Sequence, residues 1–468
     1  MQKSRFSYFL WLTGLYFLAV GCNESRTIVN TKSAKVCVHA NCADATIVQV
    51  TDQYFPADHR FVRDDSRQFS AAWAEFLAFR YDVPIHVFEQ EVKGDAFEDF
   101  LETGRGGASV YYPSCFKEFG VETFNSIVAE IESAYGKSVS TLSYGCGKTI
   151  YADSLPKYVL GGRSSGFSPG IKNASAITWY GAGHGTNLTE NEEVAHTDLL
   201  VRAAGGRYYT DIQRTKMGVS AAANYVESQV EETMINGGFY TNFMHWHDYY
   251  KNPNDSLIEG VTVMEPLFEA IFDGISKNGR NSKLDYNEAV EYLYAKQAID
   301  SVSVTAFDDK SLEIDIWKSK KQDRDYSRID TPVTISITSD MLYGNTNINY
   351  SDEVPSAFLY GSELLLNVVL DFSKEHETIE VDLKGTDKIT PIENNLVLSL
   401  EGQISVYATN EAKFVLFRRK KDAKDYAVEV VEREQSFSEK YNLPNLEDGY
   451  DYFCGAIDKR RQSTLIEL

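Results

Sequence analysis

His245-x-His247, followed by Asp248, is the group of side chains in this chain best suited to chemistry. Imidazoles titrate near neutrality, so either ring can carry a proton or bind a metal. The pair closes an apolar stretch, Phe239 to Met244, that reads as a strand. Residues two apart on a strand point the same way, so both rings can reach one point, and Asp248 could orient one of them. The plainer alternative has one histidine facing solvent and Trp246 in the core. Asp58-His59 follows the first predicted strand and could supply a further ligand or a base. His184 lies in a glycine-flanked loop, and His196 has the acidic neighbours of a surface helix. Trp179, Tyr180 and Trp246, with Arg163 and Asn242 as hydrogen-bond donors, have the chemistry of a sugar-stacking subsite. The chain contains no P-loop or HExxH pattern, so nucleotide and zincin readings lack support.

These residues must be held by the elements around them. Thr46 to Val50, Val83 to Phe88, Ala108 to Tyr112, Val139 to Tyr144 and Ala176 to Tyr180 read as strands. Between them, Phe69, Trp73, Phe76 and Leu77 mark one helical face. Phe124, Ile127, Val128, Ile131 and Tyr135 mark another, closed by Gly136, and Ala96 to Leu101 reads as a short helix. Strand alternating with helix predicts a parallel sheet with crossover helices. Residues 46–300 have the length of an α/β barrel, with a doubly wound open sheet as the alternative. Beyond Asp300 the period changes to that of strands separated by polar turns, which predicts two β-sandwiches, 301–385 and 386–468, hinged at Gly385-Thr386-Asp387. Leu446-x-x-Gly449-x-x-Tyr452 has the spacing of a tyrosine corner, as in fibronectin type III domains.

The N-terminus predicts location. Lys3 and Arg5 precede an apolar run, Phe9 to Val20, that stops at Gly21-Cys22. A basic head, an apolar core and small residues before a cysteine make a bacterial lipoprotein signal over residues 1–21, with Cys22 as the acylated residue. The run is short of the ~20 residues needed to span a bilayer. The expected product is lipid-anchored in the cell envelope, at the outer membrane, with a polar tether over 22–45. The formal charge of −22 on 468 residues repels nucleic acid and anionic lipid, so no nucleic-acid partner is expected and anchoring falls to the acyl chains. Cys37 and Cys42 are close enough in sequence to form a staple, and no CxxC pair suggests a thiolate metal site. Whether Cys115 and Cys146 pair is open, and Cys454 lies in an apolar strand pattern.

Read in order, residues 46–300 resemble a divergent polysaccharide deacetylase of the carbohydrate esterase family 4 type. Val50-Thr51-Asp52-Gln53-Tyr54 stands where that family has Thr-Phe-Asp-Asp-Gly. Ala108 to Ser114 stands at its histidine pair, and Val139 to Gly147 at its Tyr-Pro-x-Gly loop. Leu160 to Ser164 matches its arginine segment, and Gly237 to His245 its last apolar strand ending in histidine. The resemblance implies a distorted (β/α) barrel, an acetylated polysaccharide or oligosaccharide as partner, Asp52 as base, and His245 or His247 as acid. It also implies a divalent metal. The family's metal positions, however, read Gln53, Val110 and Ser114 here, which are poor ligands or none. A rebuilt metal site could use His245, His247 and His59. The expected function is glycan deacetylation in the envelope, with a catalytically inactive glycan-binding or scaffolding lipoprotein as the alternative.

Overall fold

The structure is a computed structural model. It describes residues 27–29, 35–40, 45–51, 71–89, 106–112, 120–144, 155–164, 177–180, 187–189, 200–203, 205–206, 218–236, 239–244, 264–276, 281–282, 284–307, 311–338, 347–350, 353–360, 363–388, 390–391, 395–423, 427–459 and 461–468.

Two N-terminal strands, β1 (Thr27–Val29) and β2 (Lys35–Ala40), come first. They are followed by β3 (Ala45–Thr51), α1 (Ala71–Tyr81), β4 (Ile85–Glu89), β5 (Gly106–Tyr112), α2 (Val121–Tyr135), β6 (Thr141–Tyr144) and β7 (Gly161–Ser164). Next are β8 (Ile177–Tyr180), β9 (Asn187–Thr189), β10 (Leu200–Ala203), β11 (Gly205–Gly206), α3 (Val219–Asn236) and β12 (Phe239–Met244). The segment ends with α4 (Met264–Ser276), β13 (Asn281–Ser282) and α5 (Tyr286–Ala298). Strands β3 to β13 form one sheet in the order β11-β12-β3-β4-β5-β6-β7-β10-β8-β9, with β13 beside β3. Every pairing from β11 to β10 is parallel, as the strand–helix alternation predicts. The strand at 177–180 departs from that expectation, because β8 runs antiparallel to β10, and β9 to β8. Helix α2 buries Phe124, Ile127, Val128, Ile131 and Tyr135, the face its spacing predicts. It ends at Gly136, whose φ of 70° is left-handed and whose N–H bonds the Glu132 carbonyl.

The next segment comprises β14 (Ile299–Phe307), β15 (Ser311–Lys318), β16 (Val333–Thr338), β17 (Asn347–Tyr350), β18 (Ser356–Tyr360), β19 (Glu363–Val368), β20 (His376–Lys388) and β21 (Thr390–Pro391). They make two five-stranded, mainly antiparallel sheets, β1-β14-β15-β20-β17 and β2-β16-β19-β18-β21. Alternate residues of both, such as Ile314 and Ile316 on one and Ile335 and Leu366 on the other, share one buried core. Two expectations change here. The stretch expected as a tether contains β1, which pairs with β14, and β2, which pairs with β16, because the edge of each sheet offers open backbone donors and acceptors to a further strand. Gly385 is not in a hinge but inside β20, at a register shift against β17. A Cβ there would stand 2.0 Å from the Asn349 backbone nitrogen, so glycine serves close approach at a bulge rather than flexibility.

The last segment comprises β22 (Leu396–Ser399), β23 (Ser405–Lys420), β24 (Val428–Arg433), β25 (Ser438–Asn442), β26 (Tyr450–Asp458) and β27 (Ser463–Glu467); the long β23 pairs antiparallel with β22, β24, β25 and β26, and β27 pairs antiparallel with β26. The Tyr452 hydroxyl accepts the Glu447 N–H at 2.9 Å, the bond its spacing predicts. Cys454 is free and buried in β26. Cys37 lies on β2, while Cys42, Cys115, Cys146 and the predicted helix at 96–101 lie outside the described residues.

This last sheet is not an independent spacer. Phe417 and Phe453 pack edge-on against Phe76 of α1, with ring centroids 5.5 and 5.1 Å apart. Arg433 makes a two-pronged bond to the fully buried Glu75, and the Asp82 carboxylate accepts the Ser463 N–H at 2.7 Å. Both sides belong to one hydrophobic core. Replacing Phe417 by Ala is therefore expected to cost about 3–5 kcal/mol and to release α1 as well as β23. Urea unfolding with hydrogen exchange tests this, and α1 amides that stay fully protected would refute the shared core.

Candidate functional site

Parallel α/β sheets place chemistry at the carboxyl ends of their strands. Here β3 ends at Thr51, which is paired with Val87 of β4 on one side and Met244 of β12 on the other. Asp52 and His245 are the next residues in sequence after two hydrogen-bonded strand ends. Asp52, His59, His245, Trp246, His247 and Cys22 themselves lie outside the described residues. Arg163 is the third residue of β7, in register with Ser143 of β6 and Ala203 of β10. Trp179 and Tyr180 lie on β8, opposite Val201 and Leu200 of β10. Strand β10 thus separates Arg163 from the two aromatics, so these three are near but not adjacent. Val110, which the sequence resemblance sets at a metal position, is fully buried in β5 with no donor atom, and does not fit a metal site. Among the described residues no three His, Cys, Asp or Glu side chains are grouped to hold a metal ion.

A polar cluster that sequence reasoning missed occupies the start of the sheet, where α5 meets β4, β5 and β6. Its centre is His86, which is fully buried. The His86 Nδ1 atom accepts the Tyr286 backbone N–H at 3.1 Å. The ring proton therefore sits on Nε2, which donates to Ser109 Oγ at 2.9 Å. Ser109 passes its own proton to Asn287 Oδ1 at 2.8 Å. Asn287 Oδ1 also accepts from Thr141 Oγ1 at 2.7 Å and from the Ser140 N–H at 3.1 Å, while its Nδ2 donates to the Ala108 carbonyl at 2.8 Å. Asp285 caps α5 in a reciprocal box with Glu288 and accepts the Tyr135 hydroxyl. The approach is close enough that a Cβ on Gly107 would stand 2.5 Å from Asp285 Cβ.

Ser109, His86 and Asp285 have the residue types of a nucleophilic triad, but their geometry is opposite. A triad histidine accepts from serine through Nε2 and donates to aspartate through Nδ1. Here Nδ1 is occupied by a backbone donor and lies 3.7 Å from Asp285, and Nε2 carries the proton. Burial pushes the imidazole down to about 3, so it stays neutral. The cluster locks α5 to the sheet, as polar groups at the amino-terminal face of parallel strands commonly do. The Asp285-x-x-Glu288 capping spacing was the one sequence signal pointing to it.

The same helix carries carboxyls held protonated. Burial first, then repulsion from Asp330, raises Glu291 to about 8, although Thr331 donates to it at 2.7 Å. Burial and the charge of Glu288 hold Asp285 well above the carboxylate range. For His86 the folded state binds fewer protons than the unfolded state between about 3 and 6.5, so stability rises with pH there. For Glu291 the folded state binds more between 4.5 and about 8, so stability falls with pH there. The two oppose each other where the windows overlap. Glu288, which burial raises to about 7, and Asp285 act in the same direction as Glu291, so stability should rise with pH only in strongly acidic solution and fall from mildly acidic to neutral pH, each group contributing a slope of up to about 1.4 kcal/mol per pH unit. Urea midpoints across pH would show His86→Gln flattening the acid rise and Glu291→Gln making the fall toward neutral pH shallower. Unchanged slopes in these variants would overturn the assignment.

Comparison with known proteins gives a structural neighbour. No family model and no curated protein matches the chain. Among solved structures it is similar to a candidate polysaccharide deacetylase from Mycobacterium smegmatis, with 12% identity, over 55% of this chain and 92% of that one, at a TM-score of 0.35.

Proposed function

We propose that the chain is an envelope-anchored glycan-processing protein whose α/β part hydrolyses acetyl groups on a polysaccharide. The observation that carries this reading is the pairing of β3 with β12, Thr51 opposite Met244, which brings the strand ends before Asp52 and His245 side by side. The order of the sequence motifs resembling polysaccharide deacetylases supports it further. Barrel closure is supported by β10 and β11, which are one residue apart in sequence yet pair with β7 and β12, the two ends of the parallel run. The sandwich segments are proposed to be immunoglobulin-like and fibronectin III-like.

In this reading Asp52 takes a proton from water as it attacks the acetyl carbonyl, and His245 or His247 gives one to the departing nitrogen or oxygen. Trp179, Tyr180, Trp246 and Arg163 would line the sugar. The residues at the family's metal positions do not fit a metal, and no step is routed through one. Buried Val110 favours a second reading, an inactive glycan-binding protein.

The deciding experiment is acetate release from acetylated oligosaccharides, with elemental analysis of the wild type and a His245→Ala/His247→Ala variant. Release that is lost in the variant supports hydrolysis. Stoichiometric metal lost in the same variant would move the centre onto these histidines and His59. Sugar binding without acetate release would leave the inactive reading.

A further inference from the structure

On the first sandwich, the outer face of the β14–β15–β20 sheet is built around one open indole. Along β15 the burial alternates, so Glu313, Asp315 and Trp317 face outward. Trp317 is 50% exposed although indole is among the most apolar side chains. Its neighbours leave one side of the ring open. On β20 it is opposite His376, whose imidazole stacks on it with centroids 4.1 Å apart and planes at 20°. On β14 it is opposite Ser301, too small to cover the other side.

The ring is also held in place. Asp315 Oδ1 bonds His376 Nε2 at 2.9 Å and accepts the Thr378 hydroxyl at 2.9 Å. A carboxylate thus orients the imidazole, and the imidazole supports the indole. Such a chain removes the entropy cost of ordering a platform on binding. Acidic side chains continue along the same face, with Lys384 beyond them. Glu313 stands directly opposite Glu380, and Asp382 follows on the same face. Like charges directly opposite in a sheet are destabilising, and a cation between them relieves the repulsion.

We propose that this face binds a glycan bearing free amino groups, with a sugar ring on Trp317 and its ammonium groups near Glu313 and Glu380. A flat ring with axial C–H groups fits an open indole, and Glu313, four residues and about 13 Å along the strand from Trp317, would meet ammonium groups on sugars further along the glycan. Such a glycan is what deacetylation of an N-acetylated polysaccharide yields. The choice of a sugar rests on the proposed function, but the platform stands on this face alone. His376 and Asp315 are positioning residues.

The test is calorimetric titration of the full chain in detergent with a glucosamine oligomer and with its N-acetylated counterpart, in mildly acidic buffer. The amino oligomer should bind about tenfold tighter than the acetylated one, and Trp317→Ala should weaken it about tenfold. Trp317→Phe should restore part of the affinity, and added salt should weaken binding. Equal binding of the two oligomers, unchanged affinity in Trp317→Ala, or no binding by the wild type would each overturn the proposal. Acetate release, assayed on the same sample, separates this from the hydrolytic reading. Trp317-dependent binding without release supports the platform and sinks hydrolysis alone. Release with affinity unaffected by Trp317→Ala sinks the platform alone.

Discussion

Asn287→Ala should be among the most destabilising single changes in the described part of the molecule. The side chain is almost fully buried and joins α5 to two strands through four hydrogen bonds. Truncation strands the Ser109 and Thr141 hydroxyls, the Ser140 N–H and the Ala108 carbonyl away from water. Each stranded group costs about 1–3 kcal/mol, and partial rearrangement among the hydroxyls recovers some of it. The expected loss is about 4 kcal/mol or more, comparable to the whole stability of a marginal domain. Because α5 runs straight into β14, the first sandwich should loosen together with the parallel sheet. Urea unfolding followed by separate probes on the two parts measures this. A shift below about 1 kcal/mol would mean that Asn287 is not the hub of the cluster.

The second large effect concerns chemistry. Asp52→Asn keeps the size of the side chain and removes its basicity. If Asp52 takes the proton from the attacking water, kcat for acetate release should fall by about 10²–10⁴-fold with KM little changed. The acid limb of the pH–rate profile should flatten, which a merely structural role would not produce. A loss smaller than about threefold would remove Asp52 from the mechanism.

Local patterns were legible where burial repeats with a regular period. The face of α2, its stop at Gly136, the alternation of β15 and the Tyr452 bond to Glu447 could all be read before any coordinates. Each depends on residues a few positions apart, so backbone geometry alone sets the outcome. The errors came where distant segments meet. Nothing in Lys35 to Ala40 says that its partner is Val333 to Thr338, almost three hundred residues later. Gly385 looked like a hinge because glycine serves both flexible turns and close contacts, and only the neighbouring Asn349 distinguishes them.

The candidate site divides in the same way. The sequence alone determined the residue types available for proton transfer, Asp52, His59, His245 and His247, and the acidic charge. Only the tertiary structure decided that β3 and β12 lie side by side. It also decided that His86, Ser109 and Asp285 form a neutral structural lock rather than a catalytic triad, and that Trp317 rests on His376 in an acidic sheet face. The reason is physical. A side chain's chemistry is carried by its covalent structure, but its proton, its partner and its access to solvent are set by atoms that the chain brings to it from elsewhere.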